Sequence, residues 1–338
     1  MQATLFGFRD ALHQRGSVIF PGVLASGTIA LAATWLGQHY NTPVMLFALL
    51  LGMAFHFLHE EGRCVEGIEF SSKSILRLGV GLLGVRITVA EIANLGISPV
   101  LTVALGVIST IAIGMAIARL LGLRPRFGLL SGGAVAICGA SAALAIGSSI
   151  PRHEENERDT ILTVVVVTAL STAAMIVYPV LAKMVGLDDG RAGIFLGGTI
   201  HDVAQVVGAG YAISPEAGDV ATYVKLLRVA MLLPVVFAIP LLFPSKSPTP
   251  GKANVPLPLF LLGFASLVCL RSLNVVPDAV VALANDVSRW CLVAAIAALG
   301  MKTSFQKVFV AGWRPAFLIV AETVWIAGLV FVSIRYLL

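Results

Sequence analysis

Apolar runs follow one another from Ser17 to Leu338 with only short polar loops between them. A hydrocarbon core about 30 Å thick asks for ~20 apolar residues per helix, and this chain supplies such runs along nearly its whole length. Charged residues make up 12% of the 338, about half the ~25% of a soluble domain, and the mean hydropathy is +0.94. No stretch is long and polar enough for a soluble domain. The expectation is a single all-α polytopic membrane domain over 1–338. The net charge of +5 then reads as positive-inside topology, and no nucleic-acid partner is expected.

Hydropathy places about eleven segments, near 18–36, 42–58, 74–90, 99–121, 127–150, 160–185, 192–213, 220–243, 256–270, 287–303 and 315–336. Basic residues collect on alternate loops. Arg9, Arg15, Arg63, Arg119, Lys183, Lys246, Lys252 and Lys307 fall on one side, whereas the other holds mainly Arg152 and Arg158 against Glu154, Glu155, Glu157 and Asp159. That bias puts the N-terminus in the cytoplasm. Residues 1–16 form a short amphipathic lead, and the run after it lacks a small-residue cleavage pattern, so it stays as a span. Cys64, Cys138, Cys269 and Cys291 are far apart, which gives neither a disulfide framework nor a clustered metal site. Prolines and small polar residues at 245–254, SKSPTPGKAN, mark a linker.

Two sequence likenesses stand out. GLLGVRIT at 81–88 returns as AALGMKTS at 297–304, a shift of 216 residues. The same shift pairs Gly96 with Gly312, Pro99 with Pro315, Arg86 with Lys302 and Thr88 with Ser304. The copies (about 73–121 and 289–337) are offset by seven segments, an odd number, so their orientations are opposite, as in the inverted repeats of secondary transporters. Both copies open on a segment that is short in apolar residues, a pointer to a transport site. A second likeness joins GLLSGGAVAICGASA at 128–142 to GIFLGGTIHDVAQVV at 193–207. Either pair can supply interrupted or re-entrant helices.

The stretch 193–210 carries Thr199, His201, Asp202 and Gln205 among glycines and apolar residues. An Asp at a helix centre in a bilayer costs on the order of 2.5–3.5 kcal/mol, and such residues mark ion or substrate paths. Asp202 and His201 are the candidates for a coupling ion, H+ or Na+; the competing reading is a cap on a half-helix that restarts inside the membrane. In AICGAS at 136–141, Cys138, Gly139 and Ser141 offer small groups and backbone amides to an anion, or a close packing surface. Arg86 and Lys302 either neutralise an anion or snorkel to the interface. Lys225 and Arg228 read as snorkelling. Glu322, inside the last segment, is a second acid without a charge partner in sequence. His56 and His59 flank Glu60 and Glu61 at a span end, an interfacial loop rather than a metal site.

The motifs GGAVAICGASAA at 132–143 and GGTIHDVAQVVGAG at 197–210, with LLGVRI at 82–87, the pair Tyr178 and Pro179, and KLLR at 225–228, carry a resemblance. Over essentially its whole length the chain resembles the YeiH-type family of bacterial inner-membrane proteins, which is labelled as sulfate exporters. More distantly it is similar to sodium/proton antiporters and bile-acid symporters. The resemblance implies an inverted-repeat core with two crossed, interrupted helices, a location in the bacterial inner membrane, and a fold that often forms homodimers. Residues and resemblance together predict an ion-gradient-coupled secondary transporter, or antiporter, moving a small anion such as sulfate or a sulfonate by alternating access. A pH-gated anion channel is the alternative. No HExxH, GxSxG or GxxxxGK[ST] sequence is present, so neither enzymatic activity nor a cofactor is expected.

Overall fold

The computed structural model describes residues 2–40, 42–150, 156–242, 259–303 and 312–336. In chain order the first helices are α1 Gln2–His39, α2 Val44–Ala54, α3 Phe57–Glu60, α4 Val65–Phe70, α5 Leu76–Leu82 and α6 Val89–Asn94. Next come α7 Ser98–Leu120, α8 Pro125–Ala136, α9 Ala140–Ser149, α10 Asn156–Met184, α11 Asp189–Thr199 and α12 Val203–Tyr211. The last are α13 Pro215–Ala230, α14 Leu232–Leu242, α15 Leu259–Ser272, α16 Asp278–Lys302 and α17 Trp313–Tyr336. No strand occurs among the described residues, and 6 helices there are long and apolar enough to cross a membrane. The protein is an all-α, multi-pass membrane protein. The linker expected at 245–254, the charges Arg152, Glu154, Glu155, Lys246, Lys252 and Lys307, and the repeat position Ser304 lie outside the described residues.

Several expected segments are not single helices. The span expected at 127–150 is two half-helices, α8 and α9, and that at 192–213 is α11 and α12. The interruptions therefore fall in the two glycine motifs. By contrast, the short segment expected at 287–303 is only the end of α16, an unbroken helix of 25 residues. Hydropathy loses it at Asp286, but charges on one face do not stop a helix whose opposite face is packed. The segment expected at 74–90 begins earlier, at α4, and runs through a π-helical turn at Ser71–Ile75, α5 and a 3-10 turn at Leu83–Val85.

The chain divides into two compact units, one of 1–86 with 263–304 and the other of 87–262 with 305–338. In the first, α1 packs on α2 and α4, and α16 packs on α2 and α5. Glycines set these approaches: a Cβ at Gly67 would run into Ile19 O on α1, and one at Gly300 into Leu49 O on α2. In the second unit α7 lies against α8 and α17, while α11 and α12 lie against α13. Thr102 on α7 hydrogen-bonds Ser333 on α17. Gly96 and Gly312, paired by the shift of 216, both have left-handed backbone, φ +71 and +81; α7 and α17 start directly beyond them.

Overpacking a tight interface costs about 1–3 kcal/mol. Gly67→Val and Gly300→Val are therefore expected to lower the thermal unfolding midpoint of the detergent-solubilised protein by several degrees. Gly27→Ala, where a Cβ meets nothing within 4 Å, is expected to leave it unchanged. Equal midpoints for all three would show that these glycines do not set the helix spacing.

Candidate functional site

A helix that stops inside a bilayer leaves carbonyls at the end of its first half and N–H groups at the start of its second, with no bulk water to satisfy them. The second unit has this problem twice. Between α8 and α9 the chain turns at Gly139, whose φ of +63 and ψ of −126 suit glycine. Between α11 and α12 it runs extended through Ile200 and Asp202. The two breaks touch, since a Cβ at Gly139 would lie 3.6 Å from His201 Cβ.

One helix satisfies both sets of carbonyls. From α13, Lys225 Nζ donates to Ile137 O (2.7 Å) and Ile200 O (3.0 Å), one carbonyl at each break. Arg228 Nε donates to Ala136 O at 2.8 Å and Nη2 to Val135 O at 2.6 Å. Its Nη1 donates to Gly197 O at 3.1 Å and Ile200 O at 2.9 Å. The two side chains are 0% and 1% exposed. Sequence reading had them snorkelling; in the fold they are the deepest charges of the site, because half-helix C-termini, each about −0.5 of a charge, give them anionic partners at bilayer depth. The signal was two bases three residues apart in an apolar helix, which is itself a mark of function.

The predicted residues take distinct places. Asp202 is the N-cap of α12: its Oδ1 accepts Ala204 N–H at 2.9 Å, and its own N–H donates to Ser171 Oγ at 2.9 Å. It acts electrostatically on Lys225 and Cys138. His201 is fully buried, with Nδ1 3.2 Å from Val135 O and Nε2 3.1 Å from Thr323 Oγ1. A carbonyl can only accept, so Nδ1 carries the hydrogen. A neutral ring then takes the Thr323 hydroxyl hydrogen at Nε2, in competition with Ile319 O at 2.8 Å. Both nitrogens are engaged, and His201 clamps the second break to α8 and α17.

Thr199 Oγ1 donates to Phe195 O (2.6 Å) within its own helix. Gln205 Nε2 donates to Thr172 Oγ1 at 2.7 Å, and that hydroxyl donates to Thr168 O at 3.0 Å, so the amide orientation is set. Gln205 Oε1 is left buried with no partner. Around the first break, Cys138 is buried and Ser141 is exposed on the first turn of α9, whose N-cap Gly139 brings no side-chain acceptor. The structure thus gathers Cys138, Gly139, Ser141, Thr199, His201, Asp202 and Gln205 around two touching breaks.

Arg86 and Lys302 belong to the first unit. There Lys302 Nζ is 2.7 Å from Glu69 Oε1 and 3.3 Å from Ser72 Oγ. The same carboxylate meets His59 Nε2 at 3.2 Å and Lys73 Nζ at 2.6 Å, and His56 Nδ1 donates to Met301 O at 2.6 Å. Glu69 was missed in sequence because Lys302 is brought to it from far along the chain and His59 from another helix. Among the described residues no group of three or more His, Cys, Asp or Glu can hold a metal.

Residues 21–319 match the family model described as conserved hypothetical protein 698. The chain belongs to this family. Its curated relatives are UPF0324 membrane proteins. One from Chlorobaculum tepidum is 54% identical, covering 99% of this chain and 96% of the relative. TauZ of Paracoccus denitrificans is 51% identical over 94% and 95%, and a Rhizobium meliloti protein is 50% identical over 94% and 93%. The same architecture is therefore expected across these family members.

Each buried acceptor left without its donor costs about 1–3 kcal/mol. Arg228→Met, which strands carbonyls at both breaks, is expected to abolish recovery of folded protein from detergent. Arg228→Lys, lacking the planar fork, is expected to fold with a lowered unfolding midpoint. Lys183→Met, on an exposed side chain, serves as the neutral control. A stable Arg228→Met protein would refute the role given to this side chain.

Proposed function

We propose that this family member is a secondary carrier which moves a small anion across the bacterial inner membrane by alternating access, coupled to a cation gradient. The observation that carries the reading is the meeting of two interrupted helices in one membrane-embedded unit, which places helix termini where a substrate can use them. The second break already holds a carboxylate, Asp202, at the start of α12. The first does not: α9 opens on Gly139 without a side-chain cap. The N–H groups of its first turn and the positive end of its dipole suit an anion, with the Ser141 hydroxyl beside them. Asp202 then handles the coupling ion, H+ or Na+, and the fixed cations Lys225 and Arg228 keep the neighbourhood from repelling an anion.

Sulfate or a sulfonate is the substrate class we assign, following the family resemblance. We also read 73–121 and 289–337 as inverted copies, the N-terminus as cytoplasmic, and the homodimer as the assembled form. The matched left-handed glycines before α7 and α17 support the repeat.

The experiment is flux of labelled sulfate into liposomes under an imposed pH gradient, wild type beside Asp202→Asn. Asparagine caps a helix about as well as aspartate, so the substitution removes the charge while keeping the bond to Ala204. Saturable, counter-exchanging flux in the wild type, with gradient dependence lost in Asp202→Asn, is the expected outcome. Currents that rise linearly with voltage and never saturate would point to a channel instead. Silence across a panel of oxyanions and sulfonates, under both proton and sodium gradients, would end the carrier reading.

A further inference from the structure

Glu322 is a buried acid that the two breaks do not use. It sits on α17 at 0% exposure. Its Oε1 accepts the Ser131 hydroxyl at 2.7 Å, and its Oε2 is buried with no hydrogen-bond partner. Among the described residues no Lys, Arg or His forms an ion pair with it. Space for the carboxyl comes from α7, where a Cβ at Gly114 would run into Glu322 Oε1 and lie 2.7 Å from Gly128 O. One turn earlier on α7, the Thr110 hydroxyl is also buried without a partner, against α8, where a Cβ at Gly132 would lie 2.9 Å from Thr110 O. Two orphaned polar side chains thus occur one turn apart along the packed contacts of α7, α8 and α17. Groups left unpaired in a native interior call for an explanation, and an exchangeable ligand is one.

The chemistry narrows that ligand. A carboxylate buried with a single hydroxyl donor is costly unless a positive charge reaches it. A hard metal cation such as calcium takes six to eight oxygens, far more than a carboxyl and two hydroxyls provide, and Ser131 already spends its hydrogen on Oε1. A proton needs one oxygen. We propose that Glu322 is a second proton-binding position of the carrier, loaded and unloaded during its cycle, with Ser131 fixing the carboxyl and Gly114 making room for it. The next residue on α17 is Thr323, which holds His201 at the break between α11 and α12. Charge changes at Glu322 thereby reach the break through one rigid helix and one hydrogen bond. The part played in coupling rests on the carrier reading; the proton's presence on Glu322 does not.

Infrared difference spectra of the full-length protein in lipid nanodiscs, titrated from acidic to mildly alkaline buffer, test occupancy directly. The expected result is a carboxylic-acid carbonyl band that disappears with rising pH and is missing at every pH in Glu322→Gln, whose amide oxygen still accepts from Ser131. Ser131→Ala, which keeps the acid but removes its donor, is expected to shift the titration of the band. In liposomes, Glu322→Gln is expected to weaken acceleration of anion flux by a pH gradient at least tenfold. A wild type lacking the band would overturn the proposal, as would a band that never titrates or one displaced by sodium at constant pH. A titrating band lost in Glu322→Gln, in a protein that moves no anion, would uphold the proton site and reject the carrier.

Discussion

The second unit depends on two cations meeting main-chain carbonyls. Lys225 and Arg228 reach Val135, Ala136 and Ile137 on one interrupted helix and Gly197 and Ile200 on the other. Without them, the ends of α8 and α11 would be unsatisfied in a region that offers no water. With them, the dipole ends supply the negative charge that two buried cations need, so each part makes the other tolerable. A side-chain carboxylate could have balanced these cations; using backbone instead leaves Asp202 available for other work.

The two breaks are alike at their carbonyl ends and unlike at their amide ends. The start of α12 is occupied by its own Asp202, whereas α9 starts on a glycine with nothing to place there. One break therefore carries a negative charge and the other the positive end of a helix dipole. These two ends of opposite charge sit at touching positions. His201 and Thr323 tie the pair to α17, so a displacement of that helix is felt at both breaks.

The first unit solves its charge problem differently. Glu69 gathers His59, Lys73 and Lys302 around one carboxylate, and His56 holds the Met301 carbonyl near the end of α16. A π-helical turn follows directly at Ser71–Ile75, an uncommon conformation that tends to be retained where it serves a purpose. Lys302, one of the cations considered for substrate, already has an acidic partner.

Much of this was legible in the sequence. Apolar run lengths dictate helices across a bilayer, because an unpaired backbone group is too costly there, and that reading holds. The polar residues inside the stretch 193–210 fall where α11 gives way to α12, and glycines at 132–133 and 197–198 mark helices able to pack closely. What hydropathy averages out is where a helix breaks and which charges continue one. The 25-residue α16 is cut short at Asp286 by hydropathy, and two single spans are four half-helices. Pairing across the fold was also hidden. Lys225 and Arg228 look like interface residues until tertiary packing brings two helix ends to them, and Glu322 looks like any acid until Gly114 and Ser131 enclose it. Sequence alone determined the solvent and the elements, since those follow from local composition. Only the tertiary structure decided which buried charges are satisfied and by what, because that depends on groups distant along the chain.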